Sequence, residues 1–161
     1  MFCQDKGRRT LGLFLVFILL TPLSLNAEEP AKEATTITAD KAEYVSKDRM
    51  SIFIGKVKAT RGELTINSDR LEVFFDQKEE KIIKSVAYGN VEIIHEDTVA
   101  TGQKATFSEE EEKIVLTGSP ALRRGDDEFL GEKITLFLKK DLIIFEGKVK
   151  GTIMPERAKK P

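Results

Sequence analysis

Ile66-Asn-Ser-Asp-Arg-Leu-Glu-Val-Phe-Phe75, followed by Ser85-Val-Ala-Tyr-Gly-Asn-Val-Glu-Ile-Ile94, decides the fold, because both segments return elsewhere in the chain. The first returns as Ile37-Thr-Ala-Asp-Lys-Ala42, Ala100-Thr-Gly-Gln-Lys-Ala105 and Leu130-Gly-Glu-Lys-Ile134. The second returns around Gly55-Lys-Val57, Gly118-Ser-Pro120 and Gly147-Lys-Val149. The basic residues Lys41, Arg70, Lys104 and Lys133 lie 29, 34 and 29 positions apart, and Gly55, Gly89, Gly118 and Gly147 lie 34, 29 and 29 apart. A single five-residue insertion around Gln77 to Lys84 accounts for both longer intervals. Units this short cannot each bury a core, so they must stack, and a stack leaves two open ends. That points to binding or scaffolding rather than to an active site.

Within each unit the apolar residues alternate. Leu71, Val73 and Phe75 follow Arg70 at odd steps, as Ala42 and Tyr44 follow Lys41, Ala105 and Phe107 follow Lys104, and Ile134, Leu136 and Leu138 follow Lys133. Period-two alternation places each set on one face of a strand. Polar breaks at Lys47-Asp48, Arg61-Gly62, Asp76-Gln77, Glu96-Asp97, Glu109 to Glu112, Arg124 to Asp127 and Lys139 to Asp141 supply turns. The repeated glycines sit inside strand patterns, where glycine marks a bulge or bend. Bends at matching phases crease a long antiparallel meander into two facing sheets. The predicted class is therefore all-β, from about four repeats of bent antiparallel strands. Runs such as Ser51-Ile-Phe-Ile54 are apolar on both faces, which fits either ordinary burial or an inner face that the protein does not itself fill.

The flanks read differently. Lys6, Arg8 and Arg9, the apolar run Leu11 to Leu20 and a small residue at Ala27 form a signal peptide over residues 1–27. That run falls short of the roughly 20 residues that span a bilayer. A polar leader (28–34), a domain over 35–155 and a basic tail (156–161) follow. The whole chain has 26 basic and 27 acidic residues; without Asp5, Lys6, Arg8 and Arg9 the balance is 23 to 26, a formal charge of −3. Such a balance argues against nucleic acid as a partner. Cys3, the one cysteine, precedes the apolar run, so the secreted chain has no disulfide and no lipidation cysteine.

Catalytic and metal chemistry find little support. His95, the one histidine, has only Glu96 and Asp97 beside it in sequence and reads as an exposed strand-end residue. Glu109 to Glu112 lacks the glycine and alternating oxygen ligands of a calcium loop and reads as a solvated turn. No phosphate-binding glycine loop or nucleophile elbow is present. No catalytic residue, metal or cofactor is expected. Arg123-Arg124 and the tail read as solvated charge. A carbohydrate platform would want exposed aromatics, and the chain has no Trp and two Tyr.

Ile37-Thr-Ala-Asp40, Ile66-Asn-Ser-Asp69, Val115-Leu-Thr-Gly-Ser-Pro-Ala-Leu122, Gly131-Glu-Lys-Ile-Thr135 and Gly147-Lys-Val-Lys150 with Met154-Pro155 resemble the LptA/OstA-like family. The likeness runs from about Thr35 to Pro155. It departs where the expected Asn after glycine is Lys56, Ser119 and Lys148, and where Gly102-Gln103 replaces an Ala-Asp pair. The resemblance implies a V-shaped β-jellyroll in the periplasm whose apolar interior carries the acyl chains of lipopolysaccharide from inner to outer membrane. The lipid-binding residues it implies are Ile37, Phe53, Val57, Leu71, Val73, Val91, Ile93, Phe107, Leu116, Ile134 and Leu136. The choice between Ile93 and Ile94 is open, because a bulge there would swap their faces. Such domains join head-to-tail by edge strands, here Thr35, Thr36, Ile37, Thr38 and Ala39 at one end and Val149, Gly151 and Ile153 at the other. The implied partners are lipopolysaccharide, an LptC-like inner-membrane adaptor, an LptD-like outer-membrane translocon and further copies of the chain. The alternatives are an LptC-like membrane-anchored adaptor of the same fold and a structural or carbohydrate-binding β-repeat.

Overall fold

The computed structural model describes residues 34–78 and 81–155. The expected signal peptide, nearly all of the leader and the basic tail lie outside the described residues. Strand follows strand in chain order: β1 (Thr36–Thr38), β2 (Lys41–Val45), β3 (Met50–Arg61), β4 (Leu64–Phe75), β5 (Ile82–His95) and β6 (Thr98–Ser108). Then come β7 (Lys113–Thr117), β8 (Ala121–Arg124), β9 (Asp127–Leu130), β10 (Lys133–Phe137), β11 (Leu142–Glu146) and β12 (Lys150–Thr152). A one-turn 3-10 segment, Leu138–Lys140, occupies the turn expected there. All pairings are antiparallel.

The register resolves this sheet into two layers that share their four long strands. In the first layer β1 pairs with the second half of β3, which continues through β4, β5 and β6 to β8, β9 and β12. In the second, β2 pairs with the first half of β3, which continues through the other halves of β4, β5 and β6 to β7, β10 and β11. The repeat interval has a direct structural meaning. Lys41, Ile54, Arg70, Tyr88, Lys104, Thr117, Lys133 and Glu146 form one continuous cross-strand row, so each repeated basic residue sits at the same height.

The layers meet at a crease made by the repeated glycines. Gly55 has φ 81 and Lys56 φ 47, and together they oppose the single residue Asp69, the two-against-one count of a bulge. The pattern recurs at Gly89-Asn90 opposite Gln103. Each glycine faces the residue just before a repeated basic position, Asp40, Asp69, Gln103 or Glu132, too closely to admit a side chain. Asn90 reinforces one such contact by donating to the Asp69 carboxylate at 2.8 Å. Thus glycine and the residue before the basic one in the preceding segment are two sides of one device.

The inner faces of the layers form one core. Val57, Leu64, Ile66, Val91, Ile93, Ala100 and Leu122 of the first layer pack in one cluster with Leu71, Val73, Ala105, Phe107, Ile114, Leu116, Ile134 and Leu136 of the second. Ile93 is the inward residue and Ile94 is not, which settles the phase left open by the sequence. Ile52, the other apolar face of the Ser51–Ile54 run, is buried on the outer side of the second layer in a row with Val86 and Thr135.

Candidate functional site

All eleven residues proposed for the apolar interior come together. Val57, Leu71, Val73, Val91, Ile93, Phe107, Leu116, Ile134 and Leu136 are buried members of the cluster, and Ile37 and Phe53 pack against it from partly exposed positions. The centre of the interior is closed to solvent: Ile114, Leu116 and Ile134 are completely buried. There the inner faces of the two layers belong to one apolar cluster. Near the C-terminal end Phe129 of the first layer stacks on Phe145 of the second, with ring centroids 5.0 Å apart.

At the other end a cleft opens between the layers. It is lined by Ile37, Leu64, Ile66, Leu71, Val73 and Phe107, with Ile82 beside them. Leu64 and Ile66, just past the β3–β4 hairpin, and Ile82, just past the β4–β5 loop, lie outside the alternation that starts at the repeated basic positions. The free volume of the cleft, taken as the space open to the centre of a water molecule, is about 40 Å³. The cleft has room for a few waters.

Opposite the crease, two rows of turns form a mouth. The first layer contributes the β3–β4, β5–β6 and β8–β9 turns, and the second contributes the β4–β5 loop and the β6–β7 and β10–β11 turns. Polar side chains bridge them. The Arg61 guanidinium donates to Glu109 across the mouth at 2.5 Å and lies over the Phe107 ring, 4.9 Å from its centroid. Farther along, Arg124 donates to Thr98 at 2.9 Å and reaches Asp141 at 3.5 Å. His95 is half-buried between these bridges, not the exposed strand-end residue expected from sequence, and lines recesses with Thr98, Arg124, Leu64 and Leu138. Among the described residues no cluster of three or more metal-ligating side chains occurs. Glu111 of the acidic turn accepts from Lys113 at 2.7 Å, and this hydrogen bond holds its carboxyl below the ordinary range.

The ends of the stack are open. β1 and β2 each pair only with β3, β11 only with β10 and β12 only with β9, so each end offers two free edges, one per layer. The sequence reading saw one edge at each end. Its last edge, Phe145 to Ile153, is split by the crease into β11 and β12, and Val149 and Ile153 fall just outside β12 while Gly151 lies within it. At the N-terminal end Thr36, Ile37 and Thr38 form β1, with Thr35 and Ala39 flanking it. Leu142 and Ile144 are exposed on β11, and Val149, Ile153 and Met154 are exposed on either side of β12.

The fold is thus a two-layered, creased antiparallel β-jellyroll with an apolar interior and unpaired ends. Residues 36–142 match the family model for the LptA/(LptD N-terminal domain) LPS transport protein, and the chain belongs to that family. No curated protein sequence matches it. Among solved structures it is similar to LptH, the LptA homologous periplasmic component of the conserved lipopolysaccharide transport device from Pseudomonas aeruginosa. The TM-score is 0.71 at 16% identity, covering 76% of this chain and 96% of that one. At that identity the likeness speaks for the fold.

Proposed function

We propose that this chain is a periplasmic bridge module that binds lipopolysaccharide by its acyl chains and passes it from inner to outer membrane. The observation that carries this reading is the continuous apolar interior shared by two layers, with a cleft at the N-terminal end and unpaired strand edges at both ends. Each buried methylene of a lipid tail contributes about 0.8 kcal/mol. Parting the layers around a tail leaves their inner faces in apolar contact, now with lipid instead of with each other, so the cost of opening is largely offset. No chemical step is assigned to the chain, and the energy for transport comes from a partner.

The two free edges at each end support assembly by strand addition. The ends differ, so joining them is head-to-tail and non-closing, which favours filaments. The same edges suit an LptC-like adaptor at one end and an LptD-like translocon at the other. A signal peptide removed after Ala27 would release the chain from the inner membrane, whereas retention would favour the anchored-adaptor reading; N-terminal sequencing separates them. The direct test is photocrosslinking. A photoreactive side chain at Val73, Phe107 or Leu116 is expected to label lipopolysaccharide, and one at Glu110 is not. Equal labelling at all four positions would remove the case for an interior path.

A further inference from the structure

We infer that Arg61 is the ligand for the anionic headgroup of the lipid, held ready by Glu109 until the acyl chains part the layers; this rests on the lipid-binding reading above. Three observations converge on Arg61. Alternation along β3 from Val57 and Ala59 aims it into the interior rather than out to solvent. Among the described residues that line the apolar cleft, Arg61 and Glu109 are the only charged ones, so a single cation sits at the rim of a hydrocarbon-lined opening. Its position is fixed from two sides, by the Phe107 face and by Glu109 on the opposite lip, and its side chain is only 25% exposed. An apolar cleft with one cation at its rim is complementary to an anionic amphiphile.

Glu109 sets the selectivity. It is 13% exposed and bonded to Arg61 across the mouth, so it competes with any incoming anion. Arg61 gives Glu109 one guanidinium N–H, and a phosphate oxygen accepts from the same group, so one replaces the other without rebuilding the site. A phosphate monoester carries up to two charges to the carboxylate's one, and the displaced Glu109 regains water at the mouth. Arg124 differs. It is 43% exposed and shares its donors among Thr98, Asp97 and Asp141, the last two at 3.5 Å, so it adds rim charge rather than a fixed ligand.

The experiment compares binding of bisphosphoryl lipid A, the same lipid after phosphatase treatment, and inorganic phosphate to the purified full chain and its variants. The parent is expected to prefer the phosphorylated lipid by about tenfold, the scale of a hydrogen-bonded charge pair. Arg61→Gln abolishes the preference while still binding both lipids, and Arg61→Lys, which keeps the charge, restores part of it. Glu109→Gln tightens binding of the phosphorylated form severalfold. Inorganic phosphate alone gives no saturable binding, because without acyl chains nothing opens the mouth. Equal affinity of the parent for both lipids, a preference that survives Arg61→Gln, or saturable binding of inorganic phosphate would overturn the assignment and leave lipid binding intact. Failure of the parent to bind either lipid would instead overturn the lipid-binding reading and the assignment with it.

Discussion

Gly118→Ala probes the crease directly. Gly118 holds φ 81, and an added Cβ would stand 2.5 Å from Cβ and 3.0 Å from Cγ of Gln103. Gly125, in the β8–β9 turn, is the internal control: its φ is 59, and an added Cβ would meet nothing within 4 Å. Left-handed backbone costs an ordinary residue about 1–2 kcal/mol. At Gly125 that term stands alone, so Gly125→Ala is expected to lose about 1 kcal/mol. At Gly118 overpacking adds about 1–3 kcal/mol, because the Gln103 Cβ is fixed to the β6 backbone and cannot swing aside as a side-chain tip would. The expected loss there is about 3–4 kcal/mol. Urea unfolding followed by far-ultraviolet circular dichroism reads both. With a slope of about 2 kcal/mol/M, Gly118→Ala lowers the midpoint by roughly 1.5 M or more and Gly125→Ala by roughly 0.5 M. Equal shifts for the two variants would refute the close-approach account of the repeated glycine.

Three further expectations follow from the same geometry. Leu136→Asp places an unpaired carboxylate in the buried second layer and is expected to cost several kcal/mol, whereas Glu110→Gln on the exposed turn stays within about 0.5 kcal/mol; a thermal melt with the reverse order would mean the strand phase is wrong. The Lys113 hydrogen bond makes the folded Glu111 carboxyl more acidic than the unfolded one, so its contribution is present above the unfolded pKa and is lost as pH falls through the lowered folded value. Lys113→Met should therefore raise the Glu111 midpoint in an NMR titration, and an unchanged midpoint would dismiss the pairing. Along β12 successive N–H groups point alternately to β9 and to the free edge, so one of Gly151→Pro and Thr152→Pro should reduce concentration-dependent oligomerisation with the monomer's circular dichroism unchanged. If the parent sediments only as monomer at high concentration, self-assembly fails and only joining to other partners survives.

Much of this protein was legible because strand alternation and the repeat interval are local properties. Period-two patterning assigned Leu71, Val73, Phe107, Leu116, Ile134 and Leu136 to one face, and all are buried there. The glycine interval located the crease because only glycine tolerates that backbone beside Asp40, Asp69, Gln103 and Glu132. Family motifs along the chain pointed to the LptA-like class, and the match over residues 36–142 bears that out.

Position within the stack is another matter, since equivalent repeat residues meet different neighbours. Tyr44 stands where Val73, Phe107 and Leu136 stand in the other units, yet it is 62% exposed because β2 is an edge strand. Val149 matches Val57 and Val91 but is 50% exposed, because at the far end the stack stops. The mouth lay equally beyond sequence reading. Arg61 and Glu109 are 48 residues apart in two segments that read as separate solvated turns, and only the crease folds one layer's turn onto the other's. Alternation along one strand determines which face a side chain takes; what lies across that face is decided by contacts between distant strands, which exist only once the layers have closed.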